Sequence, residues 1–207
     1  MIVSVISIVG IGVSLVFMYE DEVVNLIIKE LNKHLKTEIR IDPKNIDLTI
    51  IKSFPDCAIE FKDLTAMDAE GFKTSDTLLQ AKSLSLAFNI KDLFNKNYTI
   101  KKIILKDADC HLKVDKNGNA NYLVWKSDST VKGSDSLKFA LEKITLTNVK
   151  LSYKDSKRKI KLITTAKELH FKGNFNQDNY TLISDGNAYV DLFQIGNVKY
   201  LNHKNLK

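Results

Sequence analysis

Three segments of the chain share one strand-like pattern that changes phase at the same position. They begin at Ile59, Ile103 and Ile144 and read IEFKDLTA, IILKDADC and ITLTNVKL. Apolar residues fill the first and third positions, and their parity then shifts by one past a Lys-Asp or Thr-Asn pair. Because successive side chains of a strand point to opposite faces, such a shift requires a β-bulge or a sharp strand bend. The pattern predicts stacked repeats of a strand–bend–strand unit.

A second match supports this repeat. The segment AKSLSL, which begins at Ala81, resembles AKELHF, which begins at Ala166. Ala81 and Ala166 are separated by the same number of residues as Ile59 and Ile144. Two separate segments that agree at one displacement argue against chance and support the stacked repeats.

Apolar and polar residues alternate along most of the chain after Glu38. A period of two is typical of antiparallel strands with one apolar and one wet face. The predicted fold class is therefore mainly β, a repetitive antiparallel sheet. Asn117-Gly118 after Asp115, and Asp185-Gly186, are hairpin-turn signals. The polar stretch over residues 126–136 predicts a loop.

The segment from Met1 to Tyr19 contains no charged side chain. As a helix it would span about 28 Å, close to the ~30 Å hydrocarbon thickness of a bilayer. The rival interpretation, a cleavable signal peptide, requires small residues at its cleavage site, whereas this run ends in bulky residues. We therefore expect a retained single-pass transmembrane helix over residues 1–19. The acidic residues that follow at once fit an exit on the non-cytoplasmic side of the membrane, where we expect the main domain.

An amphipathic helix is predicted next, over residues 20–37. Its apolar residues recur at three- and four-residue spacing: Val23, Val24, Ile27, Ile28, Leu31 and Leu35. This helix could lie on the membrane surface or plug the end of the sheet, and we favour the plug. Residues 38–207 are then the β domain.

The apolar face of such a sheet needs a cover, and the one amphipathic helix is too short to supply it. The sheet either closes as a barrel or sandwich, or curls into a trough whose lining is filled by ligand. The repeats and the anchor favour the trough, a curled β-groove whose apolar lining would suit acyl chains. The predicted lining residues are Ile59, Phe61, Leu84, Leu86, Ile103, Leu105, Ile144, Leu146, Leu169 and Phe171 in the alternating strands.

Several segments together resemble the AsmA family of inner-membrane-anchored bacterial envelope proteins, which are related to TamB and to chorein-like, bridge-type lipid transfer proteins. The resemblance covers about residues 1 to 155. Its segments are the anchor with the helix Val23 to Leu35, IDLTIIKSFP from Ile46, AIEFKDL from Ala58, AKSLSL from Ala81 with Leu93-Phe94, YTIKKIIL from Tyr98 and DKNGNANYLVW from Asp115.

This resemblance implies a β-groove in the periplasm, held at the bacterial inner membrane, and a role in outer-membrane biogenesis. That role would be the carriage of phospholipid or assistance to outer-membrane protein targeting. The implied partners are phospholipid and membrane, with other envelope proteins as further candidates. Family members are usually much longer, so we expect this chain to be the N-terminal part of a longer protein. An anchored scaffold or assembly factor, which binds envelope proteins through an exposed β-edge without lipid transport, stays open as the alternative.

Composition and motifs argue against other classes of function. The net charge of +6 is spread as scattered lysines, with no block of like charges and no aromatic-basic motif, so nucleic-acid binding is not expected. Phosphate-binding glycine loops and hydrolase or metalloprotease motifs are missing from the sequence, so we expect neither an enzyme nor a cofactor.

Candidate metal ligands are equally scattered. The four histidines, His34, His111, His170 and His203, show no ligand spacing. Asp107, Asp109 and Asp115 fit a strand bend and a turn better than a calcium loop. Cys57 and Cys110 lie in phase with apolar neighbours, which favours buried thiols over a disulfide.

Overall fold

The computed structural model describes residues 35–37, 39–49, 56–69, 72, 76–89, 99–124, 138–175 and 180–206. Within them, nine strands form one sheet that does not close on itself. The strands are β1 (Ile39–Arg40), β2 (Ile46–Thr49), β3 (Asp56–Met67), β4 (Thr77–Asn89), β5 (Thr99–Val114), β6 (Lys138–Asp155), β7 (Ile160–Phe175), β8 (Tyr180–Ile195) and β9 (Val198–Leu206), with a 3₁₀ turn at Pro43–Asn45. The prediction of a mainly β chain is confirmed, and closure as a barrel is wrong for this sheet.

The order across the sheet follows the chain from β3 to β9, with β1 and β2 both paired to β3. Neighbouring strands are antiparallel except β5 and β6, which are parallel. The prediction of antiparallel pairing throughout is therefore wrong at one place. There the second and third copies of the repeat lie side by side in register, Ile103 beside Ile144 and Leu105 beside Leu146. Two tandem copies can match residue for residue only when they run in the same direction, so a crossover must connect them.

The predicted phase shift is a sharp bend in every copy of the repeat. Asp63, Asp107 and Asn148 have left-handed backbones with φ of 50°, 47° and 54°. The left-handed region strains most L-residues by about 1–2 kcal/mol, but Asp and Asn tolerate it because their short side chains hydrogen-bond locally. Here the Asn148 amide donates to the Asp107 carboxylate at 3.0 Å. Because of the bend, the apolar side chains after it point to the same face of the sheet as those before it.

The bends form a row that crosses the sheet without changing its register. Each strand from β3 to β7 contributes one residue to this row: Asp63, Lys82, Asp107, Asn148 and Lys167 in turn. The residue pairs before and after the row follow the same strand register. A β-bulge would add a residue to one strand only, so the strand-bend alternative is the correct one for β3 to β6. Between β7 and β8 the register does shift beside this row, which is bulge behaviour.

Gly186 is not in a turn, so the hairpin predicted at Asp185-Gly186 is wrong. Both residues lie inside β8, opposite His170 and Leu169. Gly186 has φ of +132°, and a Cβ added there would lie 2.1 Å from the carbonyl oxygen of Glu168. Because glycine has no Cβ, β8 can approach the backbone of β7 closely at the point where the register shifts. Such a close approach is a known reason for glycine inside a strand. The hairpin turns that follow β6 and β8 are at residues 156–159 and 196–197.

The turn predicted at Asn117-Gly118 is present. One oxygen of the Asp115 carboxylate accepts hydrogen bonds from the backbone of Asn117 and Asn119 at 2.8 and 2.9 Å. The Asn119 side-chain amide donates to the other oxygen, and this bond is the main cause that lowers the pKa of Asp115 below its usual value. The turn leads to a single bridge between Val114 and Ala120, because the chain must then cross over to β6.

The predicted anchor over residues 1–19 and most of the predicted helix over residues 20–37 lie outside the described residues, as does the predicted loop over residues 126–136. Where that helix was expected to end, Leu35 forms an isolated β-bridge and Thr37 a bend, so helix is wrong for Leu35–Thr37. In the part of the chain that the structure describes, no helix is long and apolar enough to cross a membrane.

We predict that Asn148→Val destabilises the protein by about 1–2 kcal/mol, because a β-branched residue is strained in the left-handed region. Asn148→Gly should keep the free energy of unfolding within about 0.5 kcal/mol of the original, because glycine adopts this backbone without strain. Urea unfolding followed by circular dichroism measures both, with Thr147→Val as the control at the adjacent extended position. Equal stability of the Val and Gly variants at residue 148 would contradict the bend.

Candidate apolar binding site

The ten predicted lining residues occupy two adjacent rows on one face of the sheet. Strand register joins Ile59, Leu86, Ile103, Ile144 and Phe171 in one row and Phe61, Leu84, Leu105, Leu146 and Leu169 in the next. Each row crosses β3 to β7. The row of bends lies next to the second of these rows. On the other side of the bends the apolar face continues as a third row, Leu64, Ala81, Ala108, Val149 and Ala166.

An apolar cavity of about 230 Å³ lies on this face over β3 to β5. It is bounded by Leu35, Thr37, Ile39, Phe61, Leu64, Ala66, Leu78, Leu79, Leu84, Leu86, Ile100, Ile103 and Val124. The surface that these described residues turn towards the cavity is wholly apolar. Thr37 fits this wall because its hydroxyl donates to the carbonyl oxygen of Met67. A cavity of this kind excludes polar ligands, since a polar group inside it would lose its hydrogen bonds to water.

Two chain segments that lie apart in the sequence form the cover of the cavity. The segment Leu35–Thr37 comes from the N-terminal side and Val124 from the crossover after β5, and both line the cavity together with the strand residues. The backbone N–H of Lys36 donates to the carbonyl oxygen of Val124 at 2.6 Å. This bond joins the two segments of the cover, so the position of the crossover helps to set the shape of the cavity wall.

Asn121 fixes the crossover to the sheet. Its side chain is fully buried and donates to the Asp68 carboxylate at 2.6 Å and to the carbonyl oxygen of His111 at 2.7 Å. Its side-chain oxygen accepts from the backbone of Lys113 at 2.7 Å. The Lys113 ammonium lies 3.6 Å from the other oxygen of Asp68. Every bond that the buried amide makes joins the crossover to β5 or to the end of β3.

The structure brings four of the ten predicted residues to the cavity wall, Phe61, Leu84, Leu86 and Ile103. Ile59 is fully buried in the core beside them. Leu105 belongs to a second buried cluster with Ala81, Ala108, Val149 and Ala166, against which Leu146 and Leu169 pack. Ile144 and Phe171 are half-buried on the same face. Burial therefore decreases from β3 towards β7, and the outer half of the surface is partly open.

Sequence analysis missed the rest of the cavity wall. Leu64 and Ala66 follow the bend in β3, and the phase shift itself places them on the apolar face with Phe61. The sequence therefore contained the signal for these two. Leu35, Thr37 and Val124 come from segments without strand periodicity, and only the tertiary fold brings them to the site.

A polar hollow lies at the row of bends, bounded by Asp63, Gln80, Ala81, Lys82, Asp107 and Asp109. Asp63 and Asp107 are the left-handed bend residues themselves, so their type is explained by backbone geometry. Among the described residues, no group of three or more His, Cys, Asp or Glu side chains is placed to hold a metal ion. The bend therefore accounts for the carboxylates of Asp63 and Asp107 in this hollow.

The two cysteines are free thiols. Cys57 is buried in the main core and Cys110 is half-buried. Burial raises the pKa of Cys57 to about 12 and that of Cys110 to about 11. Since the thiolate is the nucleophile, neither residue is a reactive cysteine at neutral pH.

Comparisons with protein-family models and with curated proteins find no match to this chain. The function is therefore argued from the cavity, the open sheet and the residues that surround them.

We predict that Asn121→Ala lowers the free energy of unfolding by roughly 3 kcal/mol, because it leaves buried groups of Asp68, His111 and Lys113 without this partner. The exposed Asn119→Ala, which removes one bond to Asp115, should cost less than about 1 kcal/mol. Urea unfolding measures both changes. Equal costs would show that Asn121 does not hold the crossover.

We predict slow thiol labelling of the folded protein. A pKa raised from 9.0 to about 11 reduces the thiolate fraction of Cys110 about a hundredfold at pH 7. Cys57, with a pKa of about 12, should react more slowly still, and both rates should rise with pH. Labelling with a maleimide at pH 7, resolved by peptide mass spectrometry, tests this against the urea-unfolded chain. Rapid modification of the folded protein would contradict the burial.

Proposed function

We propose that this protein binds an acyl chain of a phospholipid in the apolar cavity over β3 to β5. The observation that carries the proposal is a cavity with a wholly apolar wall, built by the described residues on the face where sequence periodicity had predicted the lining. Dry apolar cavities retain apolar guests, because these lose no hydrogen bonds on entry.

The size of the cavity favours a slender guest. An engineered apolar cavity of about 150 Å³ holds benzene, whereas sites for drug-sized ligands span about 300–1,000 Å³. A cavity of about 230 Å³ lies between these limits, as expected for part of one hydrocarbon chain. The half-buried Leu146, Leu169 and Phe171 continue the same surface beyond the cavity, where further acyl groups would lie in a groove.

The cellular role is proposed from the sequence. The uncharged residues 1–19 would hold the chain in the bacterial inner membrane as a single-pass protein, with the sheet in the periplasm. The resemblance to the AsmA family supports a part in outer-membrane biogenesis, through carriage of phospholipid or assistance to outer-membrane protein targeting. Carriage fits an apolar cavity better than targeting does, because only carriage needs a cavity of this kind.

A scaffold role is the second candidate, and the edge of β9 favours it. In the described part of the sheet β9 pairs with β8 alone, which leaves its outer edge without a strand partner. Val198, Tyr200 and Leu206 on this strand are exposed. An exposed edge with apolar side chains can accept a strand of another protein by β-augmentation.

We predict that Ala66→Phe abolishes lipid retention while the protein stays folded. Ala66 lines the cavity, and a phenyl ring there would occupy the space of the guest instead of adding a buried charge. Native mass spectrometry and lipid extraction of the detergent-purified full chain should find phospholipid on the original protein and none on the variant. Circular dichroism checks the fold.

The matched control is Ala188→Phe, which adds the same ring on β8, away from the cavity. It should retain phospholipid. Clean original protein would exclude lipid carriage and leave the scaffold role, and equal retention by Ala66→Phe would place the lipid elsewhere.

A further inference from the structure

Three turns lie together at one end of the sheet. The backbone N–H of Ser156, in the turn between β6 and β7, donates to the carbonyl oxygen of Val114, where the turn after β5 begins, at 2.8 Å. The N–H of Gly196, in the turn between β8 and β9, donates to the carbonyl oxygen of Lys159 at 2.8 Å. These bonds set three turns side by side, with the turn over residues 156–159 in the middle.

Six exposed basic residues lie in the middle turn or on the strands next to it. We name this surface the basic end, and its members are Lys154, Lys157, Arg158, Lys159, Lys161 and Lys199. Strand register places Lys154 directly beside Lys161, and Gln194 between Lys161 and Lys199. Like charges opposite each other in a sheet are destabilising, so this arrangement works against the fold unless an anion is present.

Carboxylates of the described residues do little to neutralise this surface. Arg158 lies 4.0 Å from the buried Asp155 carboxylate, whose oxygen also accepts from the backbone of Arg158 at 2.7 Å. Within the described part of the chain, the five lysines of the basic end make no ion pair within about 4 Å, the distance at which such pairs are counted. The middle turn therefore presents a net positive charge to solvent.

Exposed aliphatic side chains stand among these charges. Ile195 and Val198 flank the turn at residues 196–197 and are 40% and 57% exposed. Basic residues interspersed with exposed apolar side chains are the pattern of a surface that enters the headgroup region of a membrane. The side chains that flank this turn are aliphatic and cannot stack on bases as a nucleic-acid surface requires. The exposed Tyr200, which follows Lys199, is of a residue type that is also common at membrane interfaces.

The chain enters the sheet at this same end. Thr37 bonds the carbonyl of Met67, the last residue of β3, and Lys36 bonds Val124 of the crossover. The part of the chain that precedes Leu35 therefore joins the sheet beside the end of β3, at the same end of the sheet as the three turns.

We propose that the basic end docks on the surface of an anionic phospholipid bilayer. The ammonium and guanidinium groups of the six basic residues contact headgroup phosphates, and Ile195 and Val198 enter the interface between them. This contact orients the sheet with one end at the membrane. It does not depend on what occupies the apolar cavity.

The test places a dye at the basic end of the full chain. Asn197→Cys carries an environment-sensitive dye, and vesicles with brominated acyl chains quench it on contact. Ser184→Cys carries the dye at the other end of β8, about 35 Å away along the strand. We expect quenching at residue 197 in vesicles of phosphatidylcholine mixed with phosphatidylglycerol, little in phosphatidylcholine alone, and little at residue 184 in either. Raised salt should remove the quenching because it screens the charges.

A charge variant identifies the residues responsible. Each basic residue near an anionic surface contributes about fivefold to binding, so the combined Lys157→Gln, Arg158→Gln and Lys159→Gln should lower the ratio of docked to undocked protein roughly a hundredfold. Lys106→Gln, Lys150→Gln and Lys172→Gln together remove the same charge from exposed strand positions elsewhere and should leave the ratio unchanged.

Three outcomes would overturn the proposal. They are equal quenching in both lipid mixtures, equal quenching at residues 184 and 197, and an equal loss in both charge variants. An equal dye response to a short DNA duplex in place of vesicles would also overturn it, since the surface would then bind polyanions of any kind.

Discussion

One residue in each of the five strands from β3 to β7 leaves the pleat in the same row of the sheet, and the arrangement of the apolar face depends on this. Without the left-handed backbone at Asp63, Asp107 and Asn148, the side chains after the bend would have opposite parity and would turn towards solvent. The strands β4 and β7 each contribute one residue to this row, Lys82 and Lys167, so the register is kept from β3 to β7. The apolar surface is therefore continuous across the bend.

The row also explains the parallel pairing of β5 and β6. If two copies were antiparallel neighbours, the register that aligned their bends would pair the segment before one bend with the segment after the other. When parallel, the copies align at every residue, and Asp107 and Asn148 become hydrogen-bonded neighbours. Parallel strands need a crossover, and this crossover supplies Asn121 to the core and Val124 to the cavity. The repeat in the sequence thus leads to the cover of the cavity.

Local rules were sufficient to predict much of the fold. Period-two alternation predicted a mainly β chain, and the phase shift predicted the bends, because both depend on side-chain direction within a single strand. The turn at Asp185-Gly186 was predicted wrongly, since dipeptide chemistry cannot distinguish a turn from a close backbone approach such as that of Glu168. The cover of the cavity could not be predicted, because Lys36 and Val124 meet only through tertiary structure.

The contrast between the two faces of β4 provides the most direct test of the cavity as a binding site. Leu84 lines the cavity, and the next residue, Ser85, points to the opposite face. A photoreactive amino acid placed at either position, in the full chain expressed in bacteria, would capture what lies beside it on illumination. Our account predicts phospholipid adducts at residue 84 and none at residue 85. Adducts at both positions, or at neither, would contradict the binding of an acyl chain in the cavity.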